Sequence, residues 1–172
     1  MIVFGSYLAS IRTQRSGVIP YTIKDGIIYY LLAKHTIYKE YGDFGGGVKK
    51  FESSLAGSLR ELSEESRGIF GNINPNSVVN NIAILKDDKE FNMSILFMPV
   101  SHKWLKECDR FYTSKYCDEI SDILWIDSKG FEQMINNTSK YNFWSKIRQF
   151  LKIFYNENFE KNLIVIGEYV VV

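Results

Sequence analysis

The sequence has few cysteines, histidines and prolines, the residues that are typical of disulfide-bonded, zinc-binding and proline-rich proteins. Among 172 residues there are two cysteines, two histidines and three prolines. Two cysteines cannot build a disulfide framework, and Cys108 and Cys117 lack the paired CxxC spacing of a zinc site. We therefore expect a protein that stays reduced in the cytoplasm.

Long apolar runs and a strong net charge are also missing. No run approaches the roughly 20 apolar residues of a membrane helix, and residues 1–10 lack the charged and apolar regions of a signal peptide. The net charge is +1, so no strong overall field attracts nucleic acid or membranes. An anionic substrate would have to be attracted locally. The length predicts one domain covering residues 1–172.

Strand and helix patterns are mixed along the chain. Two apolar runs at 16–23 and 26–34 flank Asp25-Gly26, which is a strong hairpin turn signal. The hydrophobic periodicity predicts further strands at 82–85, 93–100, 123–126 and 163–172, and helices at 53–66, 131–135 and 143–154, with Trp144 in the core. Hairpins together with helices predict a mixed sheet between helices, an α/β/α sandwich.

The segment 45–68, GGGVKKFESSLAGSLRELSEESRG, carries the chemistry. On a helix its leucines fall on one stripe, whereas Glu61, Glu64 and Glu65 project together in one sector away from that stripe. Carboxylates crowded in this way repel one another by a few tenths of a kcal/mol per pair unless a cation lies between them. Mg²⁺ prefers such oxygen ligands, and the preceding glycines let the backbone approach a ligand closely.

The spacing in this segment is Gly46, five residues, Glu52, seven residues, Arg60-Glu61-Leu62, one residue and Glu-Glu. It resembles the box of the Nudix hydrolase family. The first hairpin and the segment DEISDILWID resemble the same family more weakly. The resemblance implies the Nudix fold and hydrolysis of a diphosphate linkage in a nucleoside diphosphate derivative, with Mg²⁺ or Mn²⁺ as the cofactor.

The resemblance also implies a set of metal ligands. Glu61, Glu64 and Glu65 match the metal-binding glutamates, and the carbonyl of Gly45 matches a backbone ligand. Glu52 matches the glutamate that pairs with the box arginine or binds metal.

Two further roles follow from the resemblance. Arg60 matches the arginine that orients Glu61. The base that takes a proton from water would be Glu61 itself or an acid from a distant loop. Glu119 is the best loop candidate, and Asp118 and Asp122 are poorer ones; a surface acid before a strand is the alternative interpretation of Glu119.

The segment departs from the family pattern at two positions. Arg67 stands where the family has a glycine that caps the helix C-terminus, and we expect Gly68 to take over this cap after a one-residue extension. Phe51 replaces the usual glycine before Glu52. Neither change removes a predicted ligand.

The substrate is not defined by the box. The alternatives are capped RNA, as in mRNA decapping, and a diphosphoinositol polyphosphate, because residues 102–115 form a basic segment that could bind extra phosphates. A solvated loop is the other interpretation of that segment, whose basic residues are His102, Lys103, Lys106, Arg110 and Lys115. A Nudix-fold nucleotide- or RNA-binding module without catalysis is the alternative of another class. Four aromatic residues could either stack on a base of the substrate or pack in the core or at its rim: Tyr41, Phe44, Tyr112 and Tyr116.

Overall fold

The computed structural model describes residues 1–114 and 117–172. Within these residues there are eight strands: β1 (Ile2–Phe4), β2 (Arg15–Lys24), β3 (Ile27–His35), β4 (Tyr41–Gly42), β5 (Phe44–Gly47), β6 (Ile82–Lys86), β7 (Met93–Pro99) and β8 (Ile120–Asp127). The α-helices are α1 (Gly5–Leu8), α2 (Ser54–Glu65), α3 (Asp109–Thr113), α4 (Ser128–Ile135), α5 (Ser145–Phe154) and α6 (Glu157–Gly167).

The strands form one mixed sheet in the order β1-β6-β7-β2-β3-β4, with β5 also paired to β2 and β8 to β3. Strands β2 and β7 run parallel, and the other pairs are antiparallel. The predicted hairpin between β2 and β3 is confirmed. Its turn residues Asp25 and Gly26 both have positive φ, 52° and 76°, as a two-residue type I′ turn requires.

Helices cover both faces of the sheet, which confirms the predicted α/β/α sandwich. One core lies under α4, α5 and α6 and contains Phe131, Ile147 and Phe159. The other lies under α1, α2 and α3 and contains Leu8 and Leu59. Successive residues of β2 contribute to opposite cores because strand side chains alternate between faces.

The predicted C-terminal strand at 163–172 is wrong, because the helix α6 covers residues up to Gly167. Asn156 caps this helix by accepting a hydrogen bond from the amide of Phe159 at 2.9 Å. Phe159 and Leu163, one turn apart, are buried, whereas Val165 is 62% exposed. Burial therefore follows the helical period and not the two-residue period of a strand. The sequence patterns did not predict the first strand β1 or the short helix α1.

None of the helices among the described residues is long and apolar enough to span a membrane.

Candidate functional site

The helix α2 is positioned by its cap and by its leucine stripe. Ser53 precedes the first turn, and its hydroxyl accepts a hydrogen bond from the amide of Ala56 at 3.1 Å. Leu55 and Leu62 are buried against the sheet at 2% and 1% exposure. This packing directs Glu61 and Glu65 toward the glycines of β5, whereas Glu64 is exposed.

Glu65 is the most deeply buried of these glutamates, at 2% exposure. The backbone amide of Gly45 donates a hydrogen bond to its Oε2 at 2.7 Å. Its other oxygen, Oε1, is buried without a hydrogen-bond partner among the described residues. Burial, together with the nearby charge of Asp43, raises the pKa of Glu65 to about 9. A buried carboxylate oxygen without a partner is costly, and a cation beside it would remove that cost.

Glu61 lies one turn before Glu65 and rests against the glycine strand. A Cβ atom on Gly46 would come within 2.7 Å of the Glu61 carboxyl group. Glycine at this position therefore lets the carboxylate approach the backbone, which explains one glycine of the box. Burial also raises the pKa of Glu61.

Arg60 connects the remaining carboxylates of the segment. Its guanidinium donates to Glu52 at 2.9 and 3.1 Å, to Glu61 at 2.6 Å and to Glu64 at 3.3 Å. It also donates to the carbonyl of Gly47 at 2.9 Å. The hydrogen bonds from Arg60 hold the pKa of Glu52 below its usual value. The structure thus brings these four charged residues together, while their roles in catalysis stay predictions.

The acids of α2 do not converge on a metal position in this arrangement. In residues 1–114 and 117–172, no group of three or more His, Cys, Asp or Glu side chains is arranged to hold a metal ion. Arg60 draws Glu52, Glu61 and Glu64 toward itself. The donor set nevertheless fits a hard divalent cation, because Glu65 presents an unpartnered buried oxygen one turn from Glu61.

A buried ion pair, not anticipated from the sequence, lies beside Gly45. Arg15 donates to both carboxylate oxygens of Asp43, at 2.8 and 2.6 Å, and Asp43 is fully buried. Arg15 also donates to the carbonyl of Gly45 at 3.2 Å. The amide of Gly45 donates to Glu65, so both the N–H and the C=O of Gly45 are hydrogen-bonded to side chains. Twenty-eight residues separate Arg15 from Asp43, and no local pattern could have paired them.

A cavity of about 360 Å³ opens beside Gly45. Its lining includes Arg15, His35, Glu40 and Trp144. The Arg15 guanidinium lies 4.8 Å from the centre of the Trp144 ring. Trp144, predicted to be a core residue of the last helix, is the N-cap residue of α5 and packs partly buried against the core under α4, α5 and α6. It also lines the cavity.

Glu119, the predicted loop base, is exposed directly before β8. Its backbone carbonyl accepts a hydrogen bond from the amide of Thr36 at 2.9 Å. The charge of Glu119 contributes to the raised pKa of Glu61, so the two carboxylates lie within electrostatic reach of each other. Asp122 instead accepts hydrogen bonds from the Tyr112 hydroxyl and from the amide of Ile123. Asp118 is exposed.

Comparison with solved structures identifies the fold. The chain is similar to a C. elegans Ap4A hydrolase, at 15% identity and a TM-score of 0.50, over 87% of this chain and 98% of that one. It is similar to the MutT protein of Methanosarcina mazei Go1, at 16% identity and a TM-score of 0.51, over 86% and 96%. The chain has the Nudix fold.

A further similar structure is the NUDIX domain of Shewanella oneidensis NrtR complexed with ADP ribose, at 14% identity, a TM-score of 0.49 and 88% coverage of each chain. No protein-family model matches the sequence, and no curated protein matches it.

The helix that carries the Nudix-type glutamates ends differently from the prediction. Arg67, and not Gly68, takes the first position after the helix cap and has a φ of 57°. Its amide bonds the carbonyl of Glu64 at 3.2 Å, and the amide of Gly68 bonds that of Ser63 at 2.8 Å. These two bonds form a Schellman motif. The prediction that the helix extends by one residue, with Gly68 as its cap, is therefore wrong.

The side chain of Arg67 contacts the segment before β8 and the start of that strand. It stacks over the ring of Phe111 at 4.0 Å. It donates to the carbonyls of Phe111 at 3.2 Å, Cys117 at 3.4 Å and Ile120 at 2.9 Å. The cap of α2 is thereby tied to the segment that carries Glu119.

The predicted basic segment lies on the α2 side of the Nudix fold. Lys103 and Arg110 both lie over the ring of Trp104, at 5.1 and 5.8 Å, and Trp104 is 4% exposed. Lys115 lies outside the described residues. Lys103 and Arg110 are exposed, and the acids Glu107 and Asp109 offset part of the charge of this segment.

Three of the four aromatic residues considered for base stacking lie in the described part of the chain. Tyr41 and Phe44 are buried at 6% and 0% exposure and pack in the two cores. Tyr112 is exposed and bonds Asp122. Tyr116 lies outside the described residues. His35, the last residue of β3, lines the cavity, where burial lowers its pKa.

Proposed function

We propose that this chain hydrolyses a diphosphate linkage in a nucleoside diphosphate derivative, with Mg²⁺ or Mn²⁺ held at the carboxylate face of α2. The observation that carries the proposal is the buried, unpartnered Oε1 of Glu65 beside the glycine strand, one turn from Glu61. A fold under no functional demand would be more stable with a neutral residue at this position. The similar C. elegans structure is that of an Ap4A hydrolase, and this name supports a nucleotide-derived substrate.

Side chains and one backbone carbonyl of this chain would bind the metal ion. Glu61, Glu64, Glu65 and the carbonyl of Gly45 would hold the metal, with Glu52 as a further ligand if it leaves Arg60. When bound, a divalent ion supplies positive charge to the diphosphate oxygens and makes water a stronger nucleophile.

A proton must leave the attacking water. The carboxylate of Glu119 or that of Glu61 would accept it, and the charge of Glu119 already raises the pKa of Glu61. Arg60 would hold Glu61 in place through the 2.6 Å hydrogen bond, so that its carboxylate does not rotate away from Gly46. The cavity beside Gly45 would receive the nucleoside part of the substrate.

A panel of nucleoside diphosphate derivatives, capped RNA and a diphosphoinositol polyphosphate, with Mg²⁺, Mn²⁺ or excess chelator, tests the proposal. We expect hydrolysis that stops in chelator. Glu64→Gln and Glu65→Gln should each lower turnover about 100-fold or more with little loss of stability, because each keeps its shape and loses a charged ligand.

Glu132→Gln is the matched control, since Glu132 is an exposed acid on α4 and far from the box in sequence. Wild-type turnover in Glu65→Gln, or full activity in chelator, would contradict the proposal. The pairing of Arg60 with three carboxylates favours the second candidate, a binding module without catalysis. Nucleotide binding without product release across the whole panel would favour that candidate.

A further inference from the structure

The buried pair of Arg15 and Asp43 occupies space that two glycines leave open. Gly17 of β2 lies opposite Gly45 of β5 in the sheet. A Cβ atom on Gly17 would overlap Oδ2 of Asp43, and one on Gly45 would come within 2.8 Å of the same oxygen. Glycine at both positions therefore makes room for the Asp43 carboxylate.

The pair and its glycines are poorly explained by a contribution to stability. The attraction within a buried ion pair roughly offsets the cost of removing both charges from water, and apolar side chains of similar volume are often as stable or more stable. Glycine inside a strand is unfavourable as well, because it loses much conformational freedom on folding. A role in holding a neighbouring group at a defined place explains the arrangement better.

The neighbouring group is the peptide unit of Gly45. Arg15 donates two hydrogen bonds to Asp43, which fix the plane of its guanidinium, and the ring of Trp144 lies 4.8 Å from the guanidinium. The fixed guanidinium also donates to the Gly45 carbonyl at 3.2 Å. The Gly45 amide in turn donates to Oε2 of Glu65 at 2.7 Å. The ion pair is thus connected to Glu65 through the backbone of one glycine.

We propose that Arg15 and Asp43 are positioning residues for the Gly45 peptide. They hold its carbonyl, and through its amide the Glu65 carboxylate, facing the same metal position. The inference rests on the proposed function, in which both groups are metal ligands. A carbonyl oxygen has two lone pairs, so that of Gly45 can accept from Arg15 and still bind a cation. Because Asp43 neutralises the guanidinium, the pair does not repel a cation beside it.

Hydrogen exchange of the Gly45 amide, measured by NMR, tests the positioning without metal or substrate. The double variant Arg15→Gln/Asp43→Asn removes both charges, and its glutamine is too short to bond both residue 43 and the Gly45 carbonyl. We expect exchange at Gly45 to be about 10-fold faster, the effect of losing about one charge-assisted hydrogen bond. Tyr21→Phe is the matched control, since it removes another buried hydrogen bond of β2, to the carbonyl of Leu163 at 2.8 Å. It should change exchange at Gly45 less than about 2-fold.

Binding of Mn²⁺ to the free protein, followed by electron paramagnetic resonance, tests the consequence for the metal position. We expect the double variant to raise the Kd of Mn²⁺ about 10-fold, as loss of groups that orient metal ligands commonly does. Asp43→Asn alone should raise it further, because the charge of Arg15 is then uncompensated beside the cation. The double variant buries no unpaired charge, so it gives the answer even where Asp43→Asn does not fold. Tyr21→Phe should leave the Kd within about 2-fold of the wild-type value.

The two measurements separate this proposal from the proposed function. Wild-type exchange at Gly45 in the double variant, or equal effects of the double variant and Tyr21→Phe, would overturn the positioning role. Hydrolysis that stops in chelator, with wild-type Mn²⁺ affinity in the double variant, would also overturn it and leave the function standing. Faster exchange at Gly45 in the double variant of a protein that neither binds Mn²⁺ nor hydrolyses any substrate of the panel would overturn the function. The positioning of the Gly45 peptide would then stand.

Discussion

Two residues in the glutamate-bearing segment have the same left-handed backbone conformation but different side chains. Phe51, before Glu52, and Arg67, after the helix, have φ values of 72° and 57°. Both stand where the Nudix family has glycine, and both adopt the left-handed conformation that glycine adopts at little cost. For a residue with a Cβ atom this conformation costs about 1–2 kcal/mol. Neither side chain prevents the left-handed conformation at its position.

The two side chains differ in what offsets this cost. Phe51 is 94% exposed, and its ring has a contact with Lys50 at 5.2 Å. Arg67 stacks on Phe111 and donates to three carbonyls in the segment before and at the start of β8. The difference indicates that Arg67 holds the segment that contains Glu119 against the end of α2. Phe51 shows no comparable contact.

The largest effect is expected at the residue that Arg67 would hold in place. If Glu119 accepts the proton, Glu119→Gln should lower kcat by at least about 100-fold, because the amide cannot act as a base. KM should change little. Asp118→Asn is the matched control, since Asp118 is the exposed acid next to it. Unchanged kcat in Glu119→Gln would assign the base to Glu61 and would remove the catalytic reason for Arg67.

Arg67→Gly comes next. It relieves the left-handed strain but removes the stacking on Phe111 and the hydrogen bonds to the 111–120 segment. We expect a net loss of about 1–2 kcal/mol in the free energy of unfolding, measured by denaturant titration. We also expect a fall in kcat of about 10-fold, because Glu119 would be less well placed.

A double-mutant cycle distinguishes positioning from stability alone. If Arg67 acts through Glu119, then Arg67→Gly should lower kcat further by less than about 2-fold in a Glu119→Gln background. The loss of stability should stay the same in both backgrounds. Fully multiplicative effects on kcat would mean that Arg67 supports the fold and has no separate role at the site.

The sequence predicted those features that rest on local periodicity. The β2–β3 hairpin depends on Asp25-Gly26, and α2 depends on Ser53 and the leucine stripe, so neighbouring residues were sufficient. The C-terminal strand was wrong because an apolar run such as LIVIGEYVVV has no clear period. The Asn156 cap, seven residues earlier, begins the helix that runs through the first half of that stretch, to Gly167.

Prediction of the site was limited in the same way, because the sequence alone does not pair residues that are far apart along the chain. The glutamates of α2 were predicted from spacing within one helix. The Arg15–Asp43 pair and the cavity at Trp144 were missed because they join residues that only the sheet brings together. The cap at Arg67 was misplaced for another reason, since an arginine in the left-handed region is stabilised by carbonyls more than 40 residues away. The single domain, the roles of the site residues and the cytoplasmic location stay predictions.

The smallest effect is expected at Phe51. In Phe51→Gly the left-handed strain disappears, while glycine gains freedom in the unfolded chain that partly cancels the benefit. We therefore expect the free energy of unfolding to rise by about 0.5–1 kcal/mol, the opposite sign to Arg67→Gly. Asn137→Gly is a matched control, because Asn137 is another exposed residue with positive φ, 59°, far from the glutamates in sequence. Both variants should keep wild-type kcat, and Asn137→Gly should gain less stability, since asparagine adopts the left-handed conformation at lower cost than phenylalanine. A raised KM in Phe51→Gly alone would mean that the exposed ring contacts the substrate. Phe51 would then have a role in substrate binding.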